Sequence, residues 1–329
     1  MTSLLERKLL VVTGKGGVGK TTIAAGLGLL AAERGLRAIV VEVGDQARLP
    51  ELFGISGHDP GLETKLQDGL WSISIDPDRA LLEWLQTLGG RVSGRVLASS
   101  STFQYFTAAA PGAKELVSMV KIWELTQGER WRRRAAGYDL VILDGPATGH
   151  ALGMLYSPQT FGAIARVGPI AGQAQKVRAL LENPASTSYL AVAQGTEMAV
   201  TETLELTEGL QRHLGRELDA VIVNSVLPQR FTSAELREIS QLNGREPVTV
   251  KHRSSGSAKR HAGEAGDDTV VRSAALAARA VHDRARFQHN QVARLRRRHF
   301  EVLGVPFVFT AALELPDVRR IAEHLGRSL

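Results

Sequence analysis

Short apolar runs alternate with segments of helical periodicity along the chain. Three short runs are predominantly apolar, which favours strands buried on both faces of a sheet. They are Leu9–Val12, Leu36–Val43 and Leu140–Leu143. Further strands are predicted at Leu70–Ile75, Tyr189–Ala193 and Asp219–Asn224. Alternation of buried strands with helices is typical of the α/β class. We therefore predict one domain over 1–329, with a mostly parallel sheet and helices on both faces.

The helical segments fall between these strands. Ile23–Glu33 follows the first strand and is predicted to end at Gly35, a residue type that often terminates helices. Two longer stretches, about 54–136 and 156–183, are largely helical in pattern. We expect them to form an inserted helical layer on the sheet.

Composition excludes several classes of protein. The 329 residues are 43% hydrophobic and 22% charged, as in ordinary globular proteins, and include no cysteine. Disulfides and thiolate metal sites are therefore excluded. Met1–Lys8 is polar and unlike a signal peptide, and no apolar stretch reaches the about 18 residues of a membrane span. We expect a cytoplasmic protein.

Positive charge is concentrated in one segment. The whole chain carries +6, whereas 245–300 alone has 13 Lys/Arg and 5 Asp/Glu. The polar stretch 243–268 predicts a mobile loop, and Ala274–Phe300 predicts a long basic helix. Such a helix could meet nucleic acid or an anionic membrane. Because it has charge all around it and lacks interleaved aromatic residues, we favour a solvated helix.

The strongest chemical signal follows the first strand. Residues 14–22 read G-K-G-G-V-G-K-T-T and match the phosphate-binding pattern G-x-x-x-x-G-K-[ST] in its strand–loop–helix context. Glycines let successive backbone N–H groups face one anion, and the following helix adds its positive end. Lys20 is expected to reach the β- and γ-phosphates, and the Thr21 hydroxyl to bind Mg²⁺. The residues assigned to ATP here are Gly14, Lys15, Gly16, Gly17, Val18, Gly19, Lys20, Thr21 and Thr22.

A second signal is an aspartate at the end of a buried strand. Leu140–Leu143 leads into Asp144, the Walker B pattern, whose carboxylate holds Mg²⁺ directly or through water. Gly145 allows the backbone to approach the γ-phosphate. Asp45 follows another predicted strand, at the edge where the ligand crevice of such sheets lies. It either handles the attacking water and Mg²⁺ or is a turn aspartate bonded to its own backbone, and the residues alone leave both open.

These motifs resemble the ArsA-like ATPases, which include arsenical-pump ATPases and tail-anchored-protein targeting ATPases. The string D-G-P-A-T-G-H from Asp144 to His150 is similar to the family's D-T-A-P-T-G-H. Lys15 resembles the second lysine of the deviant Walker A loop that this family shares with ParA, MinD and the nitrogenase iron protein. The resemblance implies the P-loop NTPase fold, ATP hydrolysis with Mg²⁺, and a nucleotide-sandwich dimer in which Lys15 touches the partner's nucleotide. The partner is expected to be a second copy of the chain or a paralogous ATPase.

The resemblance also assigns roles outside the phosphate motifs. Asp144–His150 becomes switch II, Gly44–Phe53 becomes switch I, and Asn224 would recognise adenine. A turn or cap residue is the other interpretation of Asn224. One departure concerns catalysis, because Gly44 occupies the place of the family's catalytic aspartate and Asp45 comes one residue later. Without cysteines the chain lacks the family's arsenite site and its zinc clasp, so we expect a dimer without zinc.

Three functions are compatible with these features. The first is a Mg²⁺-dependent ATPase that opens and closes a dimer, with catalytic residues Lys15, Lys20, Asp45 and Asp144. The second is a slow, nucleotide-gated binding module for a membrane-protein client. By resemblance Tyr156–Leu181 matches the client groove of targeting ATPases, although a helical pair packed on the sheet is the simpler interpretation. The third is a ParA/MinD-type positioning ATPase that binds DNA or membrane, with nucleic acid the less expected partner.

Overall fold

The chain is described by a computed structural model over residues 4–44, 48–57, 59–87, 112–131, 135–164, 168–243 and 264–329. Asp45, the predicted water-handling carboxylate, lies outside these ranges. So do most of the polar stretch predicted as a mobile loop and the segment 88–111 of the predicted helical layer. The fold and the site are therefore described for the remaining residues.

One sheet of eight strands runs through the described part of the chain. Its strands are β1 (Leu9–Gly14), β2 (Ala38–Val43), β3 (Thr64–Gln67), β4 (Leu70–Ile75), β5 (Leu140–Ala147), β6 (Thr187–Gln194), β7 (Ala220–Val226) and β8 (Glu301–Pro306). The order across the sheet is β3-β4-β2-β5-β1-β6-β7-β8. All neighbours are parallel except β3 and β4, which pair antiparallel at one edge. The predicted α/β fold with a mostly parallel sheet is confirmed.

The helices fill the connections between the strands. Within the described ranges they are α1 (Lys20–Glu33), α2 (Arg48–Leu52), α3 (77–87), α4 (Ala113–Leu125), α5 (Thr148–Ile164), α6 (Pro169–Glu182), α7 (Glu197–Leu214), α8 (Ser233–Asn243), α9 (Glu264–Arg296) and α10 (Leu315–Gly326). α1 packs against α10, whereas α5 packs against α4, α6 and α7. Right-handed crossovers that run in opposite directions along the sheet place these two groups on opposite faces.

The centre of the sheet is β1. All of its residues are buried, and Leu9 pairs with Val141 of β5 on one side and with Thr187 of β6 on the other. From β1 the chain crosses towards β2, and from β6 it crosses in the other direction towards β7. Because the direction of winding changes beside β1, the carboxyl end of this strand opens into a crevice, which is where such sheets bind ligands.

β3 and α9 are two of the elements that differ from the sequence prediction. β3 is an unpredicted edge strand next to β4, which has the predicted bounds Leu70–Ile75. α9 begins at Glu264 rather than at Ala274 and ends at Arg296. Its first residues, 264–268, belong to the stretch predicted as a loop, but they include no proline and so do not prevent a helix.

Candidate functional site

The loop between β1 and α1 depends on glycines with positive φ. Gly14, Gly17 and Gly19 have φ of 143°, 79° and 92°. A Cβ on Gly14 would lie 2.0 Å from the Val192 carbonyl oxygen of β6, and a Cβ on Gly19 would lie 2.4 Å from Asn224 Nδ2. Only glycine therefore fits these two positions, and the tight curl of the loop is the shape that phosphate binding requires.

Lys20, the first residue of α1, folds back over this loop. Its Nζ donates a hydrogen bond to the Lys15 carbonyl oxygen at 3.0 Å. Burial lowers the pKa of Lys20, while the negative charges of Asp144 and Glu202 act in the opposite direction. An ammonium that has already lost part of its hydration and faces carboxylates is well placed to bind phosphate oxygens.

Thr21 and Asp144 meet where α1 passes the end of β5. Thr21 Oγ1 donates to Asp144 Oδ2 at 2.6 Å. The other oxygen, Asp144 Oδ1, is buried and has no hydrogen-bond partner among the described residues. Burial raises the pKa of Asp144, against the hydrogen bond from Thr21 and the charge of Lys20. A hydroxyl beside a carboxylate with an unused oxygen suits Mg²⁺, which takes oxygen ligands and keeps several waters.

These side chains line one open cavity of about 410 Å³ at the carboxyl ends of β2 and β5. A Cβ on Gly145 would lie 2.8 Å from the Val12 carbonyl oxygen, so the bare backbone lets β5 approach β1 here. The cavity has the size and polarity expected for a terminal phosphate with its metal. Its lining consists of Lys20, Thr21, Glu42, Val43, Gly44, Arg48, Asp144, Gly145 and Pro146.

Glu42 is a buried carboxylate in this cavity that the sequence analysis missed. It is 4% exposed and lies beside Asp144 in the register of β2 and β5. Its carboxylate accepts hydrogen bonds from Arg48 N at 2.9 Å and Leu49 N at 3.3 Å. Burial nevertheless raises the pKa of Glu42 to about 7. Glu42 therefore ties the start of α2, inside the predicted switch I, to the sheet.

A signal for Glu42 was present in the sequence. It is the single acidic residue in the apolar run Leu36–Val43, and a charged residue in a buried strand needs a partner or a function. Gly44, which by the resemblance occupies the place of the family's catalytic aspartate, has φ 125° and supplies no carboxylate. Among the described residues, Glu42 and Asp144 are the two carboxylates that line the cavity.

Lys15 lies on the outer side of the loop. Its Nζ forms an ion pair with Glu202 of α7, and the two side chains are 30% and 28% exposed. Glu202 therefore holds the lysine that the sequence analysis compares with the second lysine of the deviant Walker A loop. The contact of Lys15 with a partner's nucleotide stays a prediction.

A second cavity, of about 270 Å³, opens on the far side of the loop. Asn224, at the end of β7, donates from Nδ2 to the Val18 carbonyl oxygen at 2.9 Å, and its Oδ1 accepts from Ser225 N at 2.9 Å. Asn224 thus braces the phosphate loop against β7. Its contact with adenine stays a prediction. A flat base would find both polar and apolar walls here, from Thr22, Gln194, Asn224, Phe307, Val308 and Leu313.

Comparison with known proteins shows to which family the chain is similar. The family profile described as anion-transporting ATPase matches residues 7–169. ATPase BagA of Mycobacterium tuberculosis is 30% identical over 242 residues, which cover 71% of this chain and 69% of that protein. The chain belongs to the ArsA-like ATPase family. ATPase ARSA1 of Chlamydomonas reinhardtii is 24% identical to this ArsA-like ATPase over 281 residues, which are 69% of this chain and 36% of that protein.

Family membership confirms the resemblance predicted from the sequence, and membership in an ATPase family implies nucleotide binding. Among the described residues of this ArsA-like ATPase, no helix combines the length and the apolarity that a membrane span requires. Over the same ranges, no group of three or more His, Asp or Glu side chains is arranged to hold a metal. The Thr21–Asp144 pair is smaller than such a group, as befits Mg²⁺, which usually binds one or two protein ligands together with phosphates.

Proposed function

We propose that this ArsA-like ATPase is a Mg²⁺-dependent ATP hydrolase whose nucleotide cycle opens and closes a dimer. The observation that carries the proposal is the 2.6 Å contact between Thr21 and Asp144, in the same cavity as Lys20. Asp144 Oδ1, next to the glycine loop, is buried and has no hydrogen-bond partner among the described residues. A loop that only joined a strand to a helix would give no reason for such an oxygen, whereas a metal ligand does.

Each group at the cavity has a role in this proposal. The amides of Gly14–Gly19 and the start of α1 bind the β-phosphate. Lys20 exchanges its bond to the Lys15 carbonyl for phosphate oxygens and neutralises the transferring phosphoryl group. Thr21 and Asp144 hold Mg²⁺, which when bound offsets the charge of the β- and γ-phosphates.

Two further carboxylates, Asp45 and Glu42, have separate roles in this proposal. Asp45 is assigned to the attacking water, because Gly44 has no side chain to do so. Glu42, which already accepts two backbone amides, is assigned to holding switch I in position. Release of the γ-phosphate then moves switch I and switch II relative to the sheet.

Assembly and location belong to the same proposal. Lys15 leaves Glu202 and reaches the nucleotide of a partner, which is a second copy or a paralogous ATPase. The helical pair α5 and α6, which follows switch II directly, transmits this change to a membrane-protein client. The cycle takes place in the cytoplasm.

An ATPase assay with Mg²⁺, with and without candidate partner proteins, tests the activity. Lys20→Ala is expected to lower kcat about 100-fold or more, because it removes charge stabilisation that is specific to the transition state. Lys65→Ala is the matched control: this lysine is on the edge strand β3, exposed, and paired with Asp68. Absence of ATP hydrolysis in every wild-type sample, together with absence of nucleotide binding in calorimetry, would refute the proposal. Full activity of Asp45→Asn would refute only the water assignment.

The exposed surface of α9 favours one second candidate, a positioning ATPase that binds DNA or membrane. Val270 and Leu276 are 66% and 65% exposed, and Arg279, one turn after Leu276, has 69% of its side chain exposed. Basic and apolar groups on one exposed helix suit an anionic surface. Binding to DNA or anionic vesicles that weakens steeply as salt rises would favour this candidate over client handling.

A further inference from the structure

Gln288 on α9 is a buried amide that contacts residues 225–227, the carboxyl end of β7 and the residue after it. It is 7% exposed. Its Oε1 accepts a hydrogen bond from Leu227 N at 2.8 Å, and its Nε2 donates to the Ser225 carbonyl oxygen at 3.3 Å. One side chain thus satisfies two backbone groups at the end of β7, from an element that lies more than sixty positions later in the chain.

The end of β7 that Gln288 holds is strained. Ser225 has φ 60° and is the only residue other than glycine with a positive φ in the described part of the chain. It lies where the register between β7 and β8 shifts. Residues with a Cβ avoid this region, so the conformation must be maintained by contacts from other elements. Because Asn224 Oδ1 accepts from Ser225 N, the position of the Asn224 side chain depends on the same conformation.

Gln288 also packs closely against the end of β6. A Cβ on Gly195 would lie 2.8 Å from Gln288 Cβ, so the absence of a side chain at Gly195 allows the contact. The preceding residue, Gln194, lines the 270 Å³ cavity together with Asn224 and Ser225. Gln288 therefore lies behind both chain segments that form this wall.

We propose that Gln288 is a positioning residue that sets the nucleobase selectivity of the site. The inference rests on the proposed function, which places the base in the 270 Å³ cavity. Gln288 holds Ser225 and Leu227, this end of β7 orients Asn224, and Asn224 presents its amide to the base edge and to the phosphate loop. Lys20 and Thr21 have no hydrogen bond to Gln288, and a single bond from Asn224 to Val18 joins this segment to the loop. Loss of the Gln288 amide should therefore affect base recognition more than triphosphate binding.

Gln288→Met tests the inference, because methionine keeps the volume and removes both hydrogen bonds. Gln291→Met is the matched control, since Gln291 is on the same helix and has no hydrogen bond to the end of β7. ATP, GTP and inorganic tripolyphosphate each displace a fluorescent adenine nucleotide in the presence of Mg²⁺. We expect the preference of the wild type for ATP over GTP to fall about tenfold in Gln288→Met. Tripolyphosphate affinity should fall clearly less than the ATP/GTP ratio, because Lys20 and Thr21 have no hydrogen bond to Gln288.

Two results would overturn the inference. One is an unchanged ATP/GTP ratio in Gln288→Met, and the other is an equal loss of affinity for ATP, GTP and tripolyphosphate, which would indicate a merely structural role. If Gln288→Met fails to fold, Gln288→Glu at pH 8 takes its place in the same displacement measurements. Its carboxylate still accepts a hydrogen bond from Leu227 N but cannot donate one to the Ser225 carbonyl oxygen. A wild type that binds no adenine nucleotide refutes the proposed function first, so the two failures are distinguishable.

Discussion

Glu42 and Asp144 are neighbours across β2 and β5, and burial raises the pKa of both carboxyl groups. Each also raises the cost of ionising the other, since two negative charges repel in a poorly hydrated site. In the nucleotide-free protein, a carboxyl whose pKa is higher in the folded than in the unfolded state stabilises the fold at low pH. That contribution is lost as pH rises through the folded pKa.

Glu42→Gln should therefore change stability in a pH-dependent way. At pH 5 most Glu42 is protonated in the fold and resembles the neutral glutamine, whereas at pH 8 the wild type carries the buried charge. Between pH 5 and pH 8 we expect the variant to gain about 2 kcal/mol of unfolding free energy relative to wild type. Urea titrations at both pH values measure this. Glu51→Gln, an exposed glutamate on α2, is the control. A gain of the variant at pH 5 rather than at pH 8 would contradict the argument.

At this scale, prediction from sequence succeeds where the signal is local. The loop at 14–22 and Asp144 carry motifs of adjacent residues, and the structure brings them together. Glu42 was missed although a lone acidic residue in an apolar run was a local signal, and its place beside Asp144 depends on strand register. Gln288 was missed because its contacts join a helix to a strand far earlier in the chain. Asn224 was found through the family resemblance, yet its bond to Val18 could not be derived from the residues alone.

At the scale of elements, a buried ionic network fixes α4 to the sheet. Glu124 on α4 is fully buried and pairs with Lys121 at 2.9 Å and with Arg130 at 2.7 Å. Arg130 continues to Glu63 at 2.6 Å, just before β3, and Glu63 accepts from the Tyr138 hydroxyl at 2.6 Å. The network therefore joins the inserted helices to the edge of the sheet, and each member depends on the others because buried charges need partners.

Glu124→Gln should destabilise the protein by about 3 kcal/mol, because it leaves Lys121 and Arg130 incompletely paired in a buried site. Glu182→Gln breaks an exposed pair with Arg178 and should cost less than about 0.5 kcal/mol. Chemical denaturation of both variants under the same conditions gives the comparison. Equal effects of the two substitutions would show that the network adds no stability beyond that of a surface pair.

Elements were predictable from sequence to the extent that they are buried. The apolar strands and the helix after the phosphate loop lie where the pattern places them. β3 has the sequence T-K-L-Q and is held by pairing with β4 rather than by its own apolar pattern, so nothing local indicates it. The start of α9 was missed for a related reason, because a polar helix and a polar loop have similar composition.

At the scale of the whole molecule, the ion pair between Lys15 and Glu202 bears on assembly. It holds Lys15 on its own chain, so a nucleotide-sandwich dimer must exchange this contact for one with the partner's phosphates. An ion pair that is partly exposed contributes little to stability, so the exchange is energetically accessible.

Lys15→Ala should abolish ATP-dependent dimerisation and leave ADP affinity within about threefold, because Lys20 and the loop amides still bind the phosphates. Sedimentation velocity with ATP and Mg²⁺ measures the association, and Lys65→Ala serves as the control. Glu202→Gln removes the group that holds Lys15 and should dimerise at least as readily as wild type. An ATP-dependent dimer of Lys15→Ala would exclude the predicted role of this lysine.

The position of β1 at the middle of the sheet has a consequence for biosynthesis. Leu9 pairs with Val141 and with Thr187, so both neighbours of β1 are translated long after it. Until then the nascent chain carries an apolar strand with neither edge covered, the kind of segment that aggregates or recruits chaperones at the ribosome. Among the described strands, the one that precedes the glycine loop thus waits longest for its first partner, and we expect the yield of folded protein to depend on its protection during synthesis.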